Sequence, residues 1–218
     1  MAGFPAIQAK SLLPPVAAGF EHVKRYWDPG CLRWSAKILP GEYFVTRSDE
    51  AITTVLGSCI AACIRDPATR IGGMNHFMLP EDSSTGKSSW IDGPGGLATR
   101  YGSYAMESLI NELMKLGARR DRLEVKLFGG GRILSSMTDV GEKNITFARA
   151  FLKLEGFKIA AEDVGDVCPR RVLYFPATGV VMLKRLRALD VSAIAQRENN
   201  YLTELAAKPT GDDVELFD

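Results

Sequence analysis

Ile60-Ala61-Ala62-Cys63-Ile64, then Arg65-Asp66-Pro67-Ala68-Thr69, then Arg70-Ile71-Gly72-Gly73-Met74-Asn75-His76-Phe77-Met78-Leu79-Pro80, is a pair of apolar runs around a turn. Asp-Pro followed by small and polar residues between apolar segments marks a chain reversal. Just upstream, Thr53-Thr54-Val55-Leu56-Gly57-Ser58-Cys59 sets Gly57-Ser58 before a cysteine. The backbone can bend sharply there and open its main-chain N–H groups to a ligand. A turn centred between Pro67 and Ala68 places Cys59 opposite His76. Directly opposed residues have Cβ atoms roughly 4.5–5.5 Å apart, close enough for a thiol–imidazole contact. A bulge at Gly72-Gly73 is the feature that would break this register.

Outward from this hairpin, 218 residues with a net charge of +1 describe one ordinary domain with tails. Basic residues are dispersed among acids, which is no nucleic-acid surface. No apolar run approaches the roughly 20 residues that span a bilayer, and the N-terminus lacks a signal-peptide pattern. A cytoplasmic protein is expected, with Cys31, Cys59, Cys63 and Cys168 reduced. No C-x₂-C pair suggests zinc.

Residues 1–40 read as an N-terminal extension, with 20–35 packing as a short helix or arm that carries a surface His22. Ala36–Pro40 followed by Gly41–Thr46 reads as a turn entering a strand, and Ala51–Leu56 is strand-like. Residues 81–99 form a long Ser/Gly/Pro-rich loop expected to border a cleft. Its Gly86-Lys87-Ser88 is no P-loop, because Glu81 stands where the first glycine belongs. Helical spacing marks 103–116 (Ala105, Met106, Leu109, Ile110, Leu113) and 142–155 (Ile145, Ala148, Phe151, Leu152). Met106, Met114 and the other apolar residues of 103–116 read as core or partner contacts. Leu123–Phe128 and Ile159–Val164 are strands, and Arg171–Phe175 with Val180–Leu183 form a hairpin around Pro176–Gly179. A helical tail with Ile194 and Leu202 follows about residue 188. Strands outnumber helices and form hairpins, so the class is α+β: mixed or antiparallel sheets with helices on one side.

For the cysteine and histidine alone, three readings are open: plain core residues, a thiolate nucleophile with an imidazole base, or a metal site with Cys63. Gly57-Ser58 supplies oxyanion donors for the second reading, and Thr53 a hydroxyl for the imidazole. Asn75 is expected on the opposite strand face, in a structural role.

Leu56-Gly57-Ser58-Cys59, Gly73–Pro80, Arg100-Tyr101-Gly102, Ala105-Met106-Glu107, Phe128-Gly129-Gly130 and Arg170–Val172 through Phe175–Gly179 together resemble the CheD family, the chemoreceptor glutamine deamidases. The resemblance covers about residues 42–187 and implies a domain at 41–187 with a C-terminal tail at 188–218. It implies a three-layer α/β/β sandwich similar to deamidating toxins, with no cofactor and no metal. By resemblance Cys59 is the nucleophile, His76 the base and Thr53 the third member of the site. Receptor glutamines, and in some members glutamyl methyl esters, are the implied substrates on the cytoplasmic coiled coil of the receptor. A CheC-type phosphatase is an implied partner, and a monomer is expected. The competing readings are an adaptor without chemistry, and a hydrolase or transferase acting on another protein.

Overall fold

The computed structural model describes residues 12–80, 97–133, 140–186 and 191–207. The Gly86-Lys87-Ser88 motif and most of the loop expected to border a cleft lie outside them. In chain order the strands are β1 (Lys24–Asp28), β2 (Arg33–Lys37), β3 (Tyr43–Thr46), β4 (Ala51–Leu56), β5 (Ile60–Arg65) and β6 (Gly72–Asn75). Helix α1 (Leu97–Lys115), β7 (Glu124–Gly129), α2 (Val140–Leu154), β8 (Ile159–Val164), β9 (Arg170–Phe175), β10 (Val180–Arg185) and α3 (Val191–Ala207) follow. The strands form two five-stranded sheets, ordered β1-β2-β4-β9-β10 and β3-β6-β5-β7-β8. The pairs β2/β4 and β7/β8 are parallel and the others antiparallel, so both sheets are mixed.

Helices α1 and α2 lie on the second sheet, over β3, β5 and β6. One continuous apolar cluster joins residues of both sheets, such as Ile52 and Val172 with Ile64 and Leu127, to Leu109 and Leu152 of the helices. This is the expected α+β sandwich, helices on sheet on sheet. The middle sheet explains the unbroken apolar run of β5: its strand is buried on both faces and has no use for alternation. Edge strand β10 alternates exposed and half-buried residues from Val180 to Lys184.

Residues 20–35 are expected as a short helix or arm; instead Lys24–Asp28 and Arg33–Lys37 form the β1–β2 hairpin that closes the edge of the first sheet. Trp27 and Trp34 pair across it, edge to face, 6.1 Å apart. Burial in these two strands does not alternate: β1 is half-buried from Arg25 to Asp28 and β2 is buried at Ser35 and Ala36, so the period of two that marks a strand is missing from their sequence.

The decisive hairpin forms, but its reversal falls one residue later than expected. Asp66 N–H donates to Ile71 O (2.8 Å) and Arg70 N–H to Asp66 O (2.9 Å), with Arg70 at φ 62°. The Asp66 carboxylate fixes this loop by accepting Ala68 N–H, Arg119 N–H and the Arg122 guanidinium. Cys63 therefore pairs with Met74, Ile64 with Gly73, and Ile60 bridges Phe77. Gly72-Gly73 carries no bulge. A Cβ on Gly73 would stand 2.6 Å from Phe44 O and 2.8 Å from Leu109 Cδ1, so the glycine lets α1 lie close on the sheet. The shift makes Cys59 and His76 diagonal neighbours on one face rather than directly opposed residues.

Candidate active site

The loop Gly57-Ser58-Cys59 carries the chain from β4 in one sheet to β5 in the other. Its carbonyls are all tied down on one side. Gly131 N–H donates to Gly57 O (2.6 Å), Asn144 Nδ2 of α2 to Ser58 O (2.8 Å), and Gly130 N–H to Cys59 O (2.7 Å). The N–H groups of residues 57–59 are thereby left to converge on a common acceptor, making an anion nest. A side chain at Gly57 would collide with Ile133 and stand 2.8 Å from Glu198 Oε2.

Glu198, at the middle of α3, fills that nest. Its carboxylate accepts Gly57 N–H (2.8 Å), Ser58 N–H (2.9 Å), Ser58 Oγ–H (2.6 Å) and, more weakly, Cys59 N–H (3.4 Å). The Cys59 thiol, a ring nitrogen of His76 and a carboxylate oxygen of Glu198 lie within 4.8 Å of one another, all buried. The cysteine and histidine thus do meet. Cys63, considered earlier as a third ligand, sits farther along β5 opposite Met74, and Glu198 takes that place in the cluster. Three such donors could in principle hold a cation. The carboxylate, however, already faces four hydrogen-bond donors, which is the surrounding of an anion.

His76 leaves the sheet ladder just past β6. Asn75 makes this possible: its Oδ1 takes the Ala62 N–H (2.8 Å) and its Nδ2 reaches Ala105 O of α1 (3.0 Å). Asn75 is expected on the opposite strand face from His76 in a structural role; that role is observed, and the face is the one toward α1. The His76 main chain bonds instead to Gly41 and Glu42. His76 Nδ1 lies 2.7 Å from Thr54 Oγ1, and the same hydroxyl donates to Ile38 O (2.8 Å). A hydroxyl has one proton. With that proton on Ile38 O, Nδ1 must carry the ring proton and donate it to Thr54. Nε2 is then a bare lone pair, and it is buried with no hydrogen-bond partner among the described residues.

Thr53, expected to reach the imidazole, faces the other way along β4. Its hydroxyl donates to Val172 O (2.8 Å) and lies 3.3 Å from Arg171 Nε. Successive strand residues point to opposite faces, so only one of the two threonines can meet His76, and it is Thr54.

Burial pushes the Cys59 thiol well above its ordinary range, and the neighbouring Glu198 carboxylate adds to the rise. Burial, with Arg197 nearby, lowers His76 to about 3. In this conformation the pair is therefore a neutral thiol and a neutral imidazole, with Sγ 3.9 Å from Met78 Sδ. A thiol, an imidazole with a free Nε2 and a fan of main-chain donors are the parts of acyl-transfer chemistry.

A chemotactic sensory transduction family, CheD, matches residues 78–185. The chain is also 50% identical over 211 residues to the probable chemoreceptor glutamine deamidase CheD of Hahella chejuensis, covering 96% of this chain and 98% of that one. It is similar to the proteins of the same description from Hydrogenovibrio crunogenus (55% identity, 83% and 93% covered) and Halorhodospira halophila (47%, 94% and 94%). The chain belongs to the CheD family. Three of the strings on which the CheD resemblance rests meet at this site: Leu56–Cys59 and Asn75-His76 form it, and Phe128-Gly129-Gly130 backs its loop.

Glu198 and Asn144 were not singled out in the sequence. Each interrupts the apolar stripe of its helix: Glu198 stands midway between Ile194 and Leu202, and Asn144 one turn before Ala148. A polar residue on a buried stripe was the signal that could have found both.

Proposed function

We propose that this chain hydrolyses the side-chain amide of chemoreceptor glutamines to glutamate through a thioester on Cys59. One observation carries the reading: the N–H groups at 57–59 converge on a single acceptor, here the Glu198 carboxylate, beside the Cys59 thiol and His76, whose Nε2 has no partner among the described residues.

His76 Nε2 takes the thiol proton, and Cys59 Sγ attacks the amide carbon. Gly57, Ser58 and Cys59 N–H groups hold the oxyanion, each such donor being worth roughly 2.7–4 kcal/mol in comparable sites. The tetrahedral carbon then breaks its bond to nitrogen, which leaves as ammonia with the proton held on His76. Water, deprotonated by the same Nε2, attacks the thioester, and glutamate departs as the thiol is restored. Thr54 keeps the ring proton on Nδ1 throughout, which assigns it the positioning role expected of Thr53. No step uses a metal or cofactor. A methyl ester follows the same path with methanol leaving in place of ammonia.

The proposal extends to a substrate segment in the receptor's cytoplasmic coiled coil, a cytoplasmic monomer and a CheC-type phosphatase as second partner; the description of the relatives as probable chemoreceptor glutamine deamidases supports its receptor part. Among the described residues no helix is long and apolar enough to cross a membrane. The test is to incubate the chain with receptor cytoplasmic fragments and weigh their glutamine-containing peptides. A gain of about one dalton per site that disappears with Cys59→Ala supports the reading, since loss of the nucleophile removes the thioester. No gain with any receptor favours an adaptor.

A further inference from the structure

Glu198 is 1% exposed, yet it stands in an apolar stripe with Ile194, Leu202 and Leu205, all buried. A carboxylate is tolerated at such a position only where donors satisfy it. The donors here are the N–H groups that the proposed reaction assigns to its oxyanion. Helix α3 thus carries a glutamate side chain into the catalytic site on an apolar helix face. Its other contacts are specific: Tyr201 meets Tyr101 through their hydroxyls, and Leu202 joins the central core.

We propose that α3 is a built-in product mimic, seating Glu198 above Cys59 as a docked partner helix would seat its newly formed glutamate. This rests on the deamidase reading. The groove beneath α3 is then the docking groove for a partner helix that carries a glutamine within an apolar i, i+4, i+8 stripe, a helix-in-groove mode of recognition. Partner and α3 cannot occupy it together, so α3 must leave before the substrate glutamine enters. With α3 seated the nest is filled and the thiol is covered. The partner's affinity and the thiol's reactivity are both reduced by the closed fraction.

The test uses the full chain and reads Cys59 directly. Iodoacetamide labelling of the Cys59 peptide is followed by mass spectrometry, with the half-buried Cys31 and Cys168 as internal references. In Glu198→Ala and in Leu202→Asp, labelling of Cys59 rises about tenfold or more while the references stay constant, because the closed state is depopulated. Unchanged Cys59 labelling in both variants overturns the proposal. Glu198→Gln then places the substrate side chain in the same seat. Its conversion to glutamate, about one dalton heavier and lost in the Cys59→Ala background, supports product mimicry. Conversion of receptor fragments without conversion at position 198 overturns the mimicry alone. Conversion of neither overturns the deamidase reading itself.

Discussion

Replacing Thr54 by valine removes the hydroxyl that fixes His76 and keeps the shape of the side chain. Two buried groups lose their partner, Ile38 O and His76 Nδ1–H. Each buried orphan costs about 1–3 kcal/mol, so the fold should lose about 2–6 kcal/mol, read as a shift in urea midpoint. The catalytic loss is separate. The Nδ1–H···Oγ1 bond is neutral at rest and charge-assisted once Nε2 holds a proton, rising from about 0.5–1.5 to about 1.5–3 kcal/mol. The difference, about 1–1.5 kcal/mol, is a five- to 13-fold fall in kcat. Loss of tautomer control adds to this, because a ring protonated on Nε2 cannot act as base, so about 10- to 100-fold is expected overall. Thr54→Ser keeps the hydroxyl and should stay within about threefold. Thr53→Val removes only the bond to Val172 O and the weak Arg171 contact, costing about 1 kcal/mol of stability with kcat nearly unchanged. The assay is ammonia release from a receptor fragment. A Thr53→Val enzyme as impaired as Thr54→Val, or a fully active Thr54→Val, refutes the assignment of the imidazole partner.

Three further outcomes follow from the same geometry. Because burial holds His76 near 3 when folded, against an unfolded value of about 6.5, its contribution to stability is intact above pH 6.5 and is lost as the pH falls toward 3. Between pH 7.5 and 5 the loss is about 2 kcal/mol in urea melts, and His76→Gln abolishes that component. In Gly57→Ala the new methyl strikes Ile133 and displaces the nest, so kcat falls by about 10²–10³-fold, the size of losing one oxyanion donor. Asn144→Ala strands Ser58 O and Leu79 N–H together, and calorimetry should show the domain destabilised by about 2–6 kcal/mol.

Much of this molecule was legible because local signals agreed with the fold. Asp-Pro marked the hairpin, Pro176–Gly179 the β9–β10 turn, and the spacing of Leu109, Ile110 and Leu113 marked α1. The hairpin register was off because the loop length is set at a distance. Asp66 is held by Arg119 and Arg122, more than 50 residues away, and neither is visible as a turn signal. The choice between Thr53 and Thr54 depends on which face of β4 meets the second sheet. Adjacent residues of one type leave that parity open in the sequence. Glu198 was hidden for a different reason: a charged residue on a tail helix ordinarily faces water. Only the tertiary placement of α3 over the 57–59 loop turns it inward.

The proposed reaction passes through a covalent thioester between Cys59 and the substrate side chain. Hydroxylamine competes with water for such an intermediate and leaves a hydroxamate on the substrate. Receptor fragments turned over in its presence should carry glutamyl hydroxamate, about 16 daltons heavier than the glutamine it replaces, at the sites that otherwise become glutamate, and Cys59→Ala should yield neither product. Glutamate that forms in full yield with no hydroxamate at high hydroxylamine, or that persists without Cys59, would mean that water attacks the amide directly.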